Sequence, residues 1–284
     1  MTIVILGGTA EARQLATALV ADGVDVISSL AGRVNAPNLP PGRVRIGGFG
    51  GAEGLAEYLR QEHAIAVVDA THPFATTISQ NAQQTAILTG IPLVRLERPG
   101  WGQHPRSRSW TWVADAAAAR ATAEAAVRPF LTTGRQSLPD FLPWADRNVL
   151  VRLVDPPTDP LPERWVLIMS RGPYSYAGER HILSEHAVDV LITKDSGGAH
   201  TVAKLDAAGD LGIPVVIIAR PKRAQVPQLE TVSEAVAWCL CVAACDSWDD
   251  RFHEVPFEAG GERRSAGDRD VDLERHHFDW LEHR

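Results

Sequence analysis

"TIVILGGTAEARQLATALVADG", residues 2–23, sets the architecture. A short β-rich run meets two glycines, and the segment beyond them carries apolar residues at helical spacing until Gly23 closes it. A strand turning through glycine into an amphipathic helix is the first half of a βα unit. Thr9 stands where the helix needs a cap.

The same alternation runs outward from there. "VDVISSL", "GRVRIGG", "AIAVVDAT" and "IPLVRL" read as further strands, with "AEGLAEYLRQEH" and "FATTISQNAQQTAILTG" as helices between them. The period breaks at "ERPGWGQHPRSR", where Gly, Pro and Arg crowd together as in a crossover. It then resumes with "WTWV", "NVLVRLV", "RWVLIMS", "VDVLITK" and "IPVVIIAR" as strands and "RPFLTTGRQSL" as a strand entering a helix. "ADAAAARATAEAAV", "HTVAKLDAAGDLG" and "VSEAVAWCLCVAAC" are helices. Short apolar strands alternating with amphipathic helices imply parallel sheets covered on both faces. The expected fold is therefore α/β, with two mainly parallel sheets of similar kind, one from each half. Residues 1–104 form the first, residues 105–245 the second, and residues 246–284 a charged tail expected to be disordered.

The chain has 284 residues and a formal net charge of -7. That charge is concentrated: from Asp246 onward there are 12 acids and 6 arginines, whereas the body has 23 acids and 22 bases. A nearly neutral body has no general field for nucleic acid, so anions must be bound by local geometry. No stretch of about 18 apolar residues spans a membrane. The start has no basic leader, and Cys239, Cys241 and Cys245 on one apolar helix suit a reducing compartment. The expected location is the cytoplasm. These cysteines read as core or interface thiols, and no metal site is expected. His276 and His277 in the tail read as solvated.

In open α/β sheets ligands sit beyond the carboxyl ends of the strands. Those ends carry "GGTAEA", "SSLAGR", "GGFGG", "DATHPFA", "TTGRQ" and "TKDSGG". Gly7, Gly8 and Thr9 make an anion cradle at a helix start, although Ala12 stands in the last place of the G-x-G-x-x-G spacing and Glu11 would repel a pyrophosphate if it faced inward. The second strand ends without a carboxylate; Ser28 and Arg33 suit a 2′-phosphate, which favours NADP over NAD. Gly47 and Gly48 form a third turn. Asp69, Thr71 and His72 lie on the fourth, with Pro73 expected at the first helical position; Asp69 and His72 are candidates for proton handling. Thr133, Gly134 and Arg135 repeat the form in the second half, as do Lys194, Ser196, Gly197 and Gly198, with Thr201 beyond. The chain has three lysines, Lys194, Lys204 and Lys222, and two of them flank that Ser-Gly-Gly turn. Lys194 is expected to face the cleft, Lys204 to lie on the helix or reach back to the ligand. There is no Walker A loop, G-x-S-x-G elbow or H-E-x-x-H motif.

Together "ILGGTAEAR", "GGFGG", "VDATHPFATTISQNA", "RPGW", "TTGRQ" and "TKDSGG…T…KL" followed by "IPVVIIARP" resemble the precorrin-6A reductase family and its anaerobic counterpart, cobalt-precorrin-6A reductase. "THPFA" and "TKDSGG" are the specific parts. The resemblance runs to about residue 221 and excludes the tail, and it implies a fold of two Rossmann-like domains with a ligand cleft between them. It implies a cobalamin-pathway enzyme that uses NADPH to reduce one double bond of the precorrin-6A macrocycle, giving precorrin-6B. It implies a polycarboxylate tetrapyrrole as substrate and handover with other enzymes of the corrin pathway. Gly7, Gly8, Thr9, Ser28, Arg33, Gly47, Gly48 and Thr71 would then serve the cofactor. Thr133, Gly134, Arg135, Lys194, Ser196, Gly197, Gly198 and Thr201 would hold the macrocycle or part of the cofactor. His72, Asp69 or water would deliver the proton. Two other readings stand beside this one: a different NADP-dependent reductase or epimerase, against which no Tyr-x-x-x-Lys pair is present, and a non-catalytic dinucleotide sensor.

Overall fold

The computed structural model describes residues 1–32, 39–222 and 226–252. The first half runs β1 (Thr2–Leu6), α1 (Ala10–Ala21), β2 (Asp25–Leu30), β3 (Arg43–Ile46), α2 (Ala52–Gln61), β4 (Ala64–Asp69), α3 (Thr76–Thr89) and β5 (Leu93–Leu96). The second half runs β6 (Thr111–Val113), α4 (Ala116–Thr122), β7 (Pro129–Thr132), α5 (Leu138–Phe141), β8 (Leu150–Leu153), β9 (Val166–Met169), α6 (Tyr176–Glu185), β10 (Val190–Lys194), α7 (Ala203–Asp210) and β11 (Val215–Ile218). The chain then adds β12 (Gln228–Leu229) and α8 (Val232–Phe252).

Two six-stranded sheets result, ordered β12-β5-β4-β1-β2-β3 and β6-β11-β10-β7-β8-β9. Every strand pair in both is parallel. Counted within its own half, each sheet has the doubly wound order three-two-one-four-five, and each takes its sixth strand from elsewhere in the chain. β6 follows the first sheet's five strands but joins the second sheet. β12 follows the second sheet's strands but returns to the first, where the Arg95 amide donates to the Pro227 carbonyl and the Glu97 amide to that of Leu229, both at 2.9 Å.

The period of two along β1 shows why these runs are central strands. Ile3 and Ile5 enter the core formed with Leu15, Leu19, Ala235 and Cys239 on one face. Val4 and Leu6 enter the core formed with Leu55 and Leu59 on the other. Leu15 and Leu19 are fully buried, which contributes about 1.5–3 kcal/mol for each side chain. The second sheet repeats the plan, with Leu131, Val151 and Ile192 on one face and Phe130, Leu150 and Leu191 on the other.

Several expectations need correction. The boundary at residue 245 fails, because β12 and α8 complete the first unit; two strand residues are too few to carry a period. Helix α8 runs seven residues into the segment assigned to the tail, and residues 253–284 lie outside the described part. Cys239 is buried, with its thiol pushed up to about 12 by burial, whereas Cys241 is exposed. Helix α6 went unread although Ser175 caps it by accepting from the Gly178 amide. Helix α3 begins at Thr76, not at Pro73. Residues 72–75 form a turn closed by the Ala75 amide on the His72 carbonyl at 2.8 Å, with Pro73 in the second turn position that suits its fixed φ.

Candidate functional site

The strand order of the first sheet reverses between β1 and β4, so a crevice opens above their carboxyl ends. Two loops line it. After β1, the Gly7 amide donates to the Ser29 carbonyl at 2.9 Å. Gly8 has φ of 115°, and a Cβ there would meet nothing within 4 Å, so the outer face of the turn is open. The Thr9 hydroxyl donates to the Ala70 carbonyl at 2.8 Å and accepts from the Ala12 amide at 3.1 Å. It stitches the two loops together and caps α1. The first bond within the helix is Arg13 N–H to Thr9 carbonyl, which leaves the amides of Ala10 and Glu11 without an intrahelical acceptor. An open turn leading into a twelve-residue helix fits the phosphates of a dinucleotide.

Glu11 does not stand there uncompensated. Its Oε2 accepts from Arg98 Nη1 at 2.6 Å. Beside the turn, Arg45 clamps the third loop by donating to the carbonyls of Gly47 at 2.6 Å and Gly48 at 2.7 Å, with its guanidinium 3.9 Å from the Phe49 ring centroid.

After β4, Asp69 is buried and both of its oxygens are engaged. Oδ2 accepts from Arg95 at 3.1 Å, and Oδ1 accepts the Thr71 hydroxyl at 2.6 Å and the Thr71 amide at 3.2 Å. His72 is exposed, and its Nδ1 accepts from the Phe74 amide at 3.2 Å. With Nδ1 accepting, the neutral ring carries its proton on Nε2.

The turn at 72–75 projects Phe74 onto the second unit, where it packs against the Leu131–Ile192 core and lies 5.2 Å from Lys194 Nζ. A cavity of about 280 Å³ follows from this contact. Phe74 and Thr76 form its wall on the first unit; Asp115, Gln136, Ser137, Asp140 and Lys194 form its wall on the second. Burial lowers the pKa of Lys194, and the Asp140 carboxylate opposes that shift. Among the described residues the cleft thus presents Lys194 as a cation next to an aromatic face.

A profile of the family described as "Precorrin-6x reductase CbiJ/CobK" matches residues 2–240. The chain belongs to this precorrin-6x reductase family. A relative from Rhodococcus erythropolis named precorrin-6A reductase is 50% identical over 241 residues, covering 83% of this chain and 96% of the relative. A more distant relative from Priestia megaterium, named cobalt-precorrin-6A reductase, is 32% identical over 235 residues, covering 78% of this chain and 91% of that one. A solved structure named "CobK precorrin-6A reductase" superimposes with a TM-score of 0.80 at 39% identity, covering 85% of this chain and 97% of the other. As a member of a reductase family with two doubly wound sheets, the chain has the expected α/β architecture.

The residues expected at the site in this reductase-family chain divide sharply. Gly7, Gly8, Thr9, Thr71 and His72 stand on the two loops of the first crevice, and Gly47 and Gly48 follow β3 at the same end of the sheet, two strands from β1. Arg33 lies outside the described residues. Ser28 is 2% exposed, and its enclosed hydroxyl has no hydrogen-bond partner among the described residues; it sits inside the sheet opposite Ile5 and touches no loop face. Asp69 braces its loop, since its oxygens are already occupied. Thr133 is likewise enclosed, at 3% exposure. Gly134 is exposed, and Arg135 donates to the Pro156 carbonyl at 3.2 Å.

In "TKDSGG" only Lys194 faces the cleft. The Ser196 carbonyl accepts from Arg98 Nε at 2.8 Å, and its hydroxyl meets that of Thr201 at 3.3 Å. A Cβ on Gly198 would lie 2.6 Å from Arg98 Cδ, and one on Gly197 would strike Arg220 and the Pro99 carbonyl. These glycines admit the "RPGW" crossover; they do not open the turn to a ligand. Lys204 neither lies on the surface nor reaches the cleft. It is 3% exposed, donates to the Thr201 carbonyl at 2.7 Å and sits 4.7 Å from the Trp101 ring centroid. Burial drives its pKa down to about 7.

The residues that the loops alone did not disclose are Phe74, Asp140 and the crossover group. Arg220 bonds Glu97 at 2.6 Å and approaches Asp195 Oδ2 at 3.4 Å. The Trp101 amide donates to Asp195 Oδ1 at 2.9 Å. The irregular composition of residues 97–108 was the available signal, since unperiodic Gly, Pro and Arg mark a specialised connection as well as a linker.

Proposed function

We propose that the chain reduces one double bond of the precorrin-6A macrocycle to give precorrin-6B, with NADPH as reductant, in cobalamin biosynthesis. The cobalt-free macrocycle is favoured by the higher identity to the relative that carries that name. The observation that carries the reading is the pairing of an open anion turn on one unit with a lysine-bearing cleft on the other. A polyphosphate cofactor and a polycarboxylate ring need two such sites in one molecule.

NADPH supplies a hydride when bound, and a proton completes the saturation of the ring carbon pair as the cofactor leaves as NADP+. The chain's own residues bind and orient. Gly7, Gly8 and the first-turn amides of α1 receive the phosphates, and the Gly47–Gly48 turn and Thr71 shape the rim. Arg33, which lies outside the described residues, is the partner its sequence position offers for the 2′-phosphate. Lys194, as a mobile point charge, takes a carboxylate of the macrocycle, with Gly134 and Arg135 on the same side. Phe74 keeps water from the Lys194 side. His72 holds a proton at Nε2 near the crevice; Asp69 fixes Thr71 and donates nothing.

The deciding experiment follows NADPH absorbance with enzymatically made precorrin-6A. Turnover to a reduced ring is expected; NADPH binding without turnover would favour a sensor. Comparing the two nicotinamide cofactors tests Arg33, because equal affinity for NADH and NADPH would remove its role. Lys194→Met should raise KM for the macrocycle about tenfold while leaving NADPH affinity unchanged. A near-normal rate in His72→Ala would hand the proton to water.

A further inference from the structure

Arg98 lies two residues beyond β5, in the first crossover between the units. Its guanidinium is divided: Nη1 donates to Glu11 Oε2 at 2.6 Å, and Nε donates to the Ser196 carbonyl at 2.8 Å. Glu11 occupies the first turn of α1, immediately beyond the Gly7–Gly8–Thr9 turn. A carboxylate there is favoured by the same helix end that would receive a phosphate, and the two anions repel. The side chains of Arg98 and Glu11 are 18% and 17% exposed, so solvent and salt screen the pair weakly. Arg220, beyond β11, is committed elsewhere, to Glu97 and Asp195.

We infer that Arg98 is a positioning residue for the cofactor: it cancels the charge of Glu11 at the start of α1 and so makes the Gly7–Thr9 turn receptive to the NADPH phosphates. Glu11 in turn orients Arg98, whose Nε holds the loop that follows Lys194. One side chain therefore sets the charge of the cofactor turn and ties it to the substrate unit. The inference rests on the reading that this turn holds the cofactor.

The test is direct NADPH binding to the full chain, by calorimetry or tryptophan fluorescence, at low and high salt. Arg98→Met should weaken NADPH about tenfold, because Glu11 is then an unopposed anion at the helix end. Adding Glu11→Gln to Arg98→Met should bring affinity back to within about twofold of the parent. Glu11→Gln alone should bind NADPH at least as tightly as the parent, with an advantage that shrinks as salt rises. Parent-like affinity in Arg98→Met would overturn the inference, as would a double variant no stronger than the single; the latter is the signature of a purely structural role through Ser196. If Arg98→Met does not fold, Glu11→Gln decides alone, and weaker binding than the parent overturns it. Ala10→Glu separates the two readings by placing an unpaired carboxylate in the same turn. Normal NADPH affinity in Ala10→Glu means that the turn is not the cofactor site. Weakened affinity there, with no effect of Arg98→Met, means that only the role of Arg98 is wrong.

Discussion

The fourth strands of the two sheets end alike and are put to different uses. Each closes on a buried aspartate, Asp69 as the last residue of β4 and Asp195 just after β10, that an arginine from the fifth-strand side engages: Arg95 in the first unit, Arg220 in the second. Asp69 spends its other oxygen on Thr71, inside its own loop. Asp195 spends its other oxygen on the Trp101 amide, in the crossover, while Arg220 also reaches Glu97 at the end of the first sheet. One ion pair therefore shapes a loop, and the other fastens two sheets. The first strands diverge in the same way. The β1 turn leads into a capped twelve-residue helix, whereas the β7 turn leads through a single 3-10 turn into the four residues of α5, with Pro139 among them. Identical strand order does not imply identical ligand sites; the loop and the helix that follows decide.

The strongest way to break this comparison is to remove each arginine. Arg95→Met and Arg220→Met each leave a buried carboxylate without its cation, so each should lose about 3 kcal/mol in urea unfolding. Only Arg220→Met should also raise KM for the macrocycle several-fold, since it loosens the joint between the units. Equal kinetic effects from the two variants would erase the distinction. Gly198→Ala comes next. The added methyl must displace Arg98 at a residue with φ of 70°, and a cost of about 1–3 kcal/mol in stability is expected. Gly134→Ala is also at positive φ but meets open space; its cost should be the smaller of the two.

Lys204 gives the clearest pH signature. Its pKa is about 7 in the folded chain and 10.5 when free. Between those values the unfolded chain binds more protons, so this lysine's contribution to stability rises with pH. Below about 7 the charged form carries the full burial penalty. Lys204→Met should therefore raise Tm relative to the parent at pH 6, and the gain should shrink steadily towards pH 10. A pH-independent difference would show that the ammonium is not desolvated beneath Trp101.

Much of this was legible. The eleven longer strands follow from short β-rich runs between turns and helices, and the crevice loops from their position at strand ends. What escaped reading was long-range. Gly197 and Gly198 looked like a ligand turn because glycine beside lysine is compatible with anion binding, yet their neighbours are Arg98, Pro99 and Arg220. Ser28 and Thr133 were chosen as strand-end hydroxyls, but both are enclosed by the packing around them, which no local pattern shows. Lys204 looked exposed because nothing local shows that Trp101 covers it. Glu11 looked hostile to phosphate until Arg98, 87 residues away, came to meet it.

By itself the sequence determined the α/β plan, the parallel strands and the set of loops from which any site must be drawn, because periods of two and 3.6 are local and are enforced by burial on each face. Only the tertiary structure decided which sheet receives each sixth strand, which loops fasten the units and that Lys194 alone of its motif faces the cleft. Those outcomes depend on contacts between residues about a hundred positions apart, such as Arg98 with Ser196 and Arg220 with Glu97, and no local period encodes them.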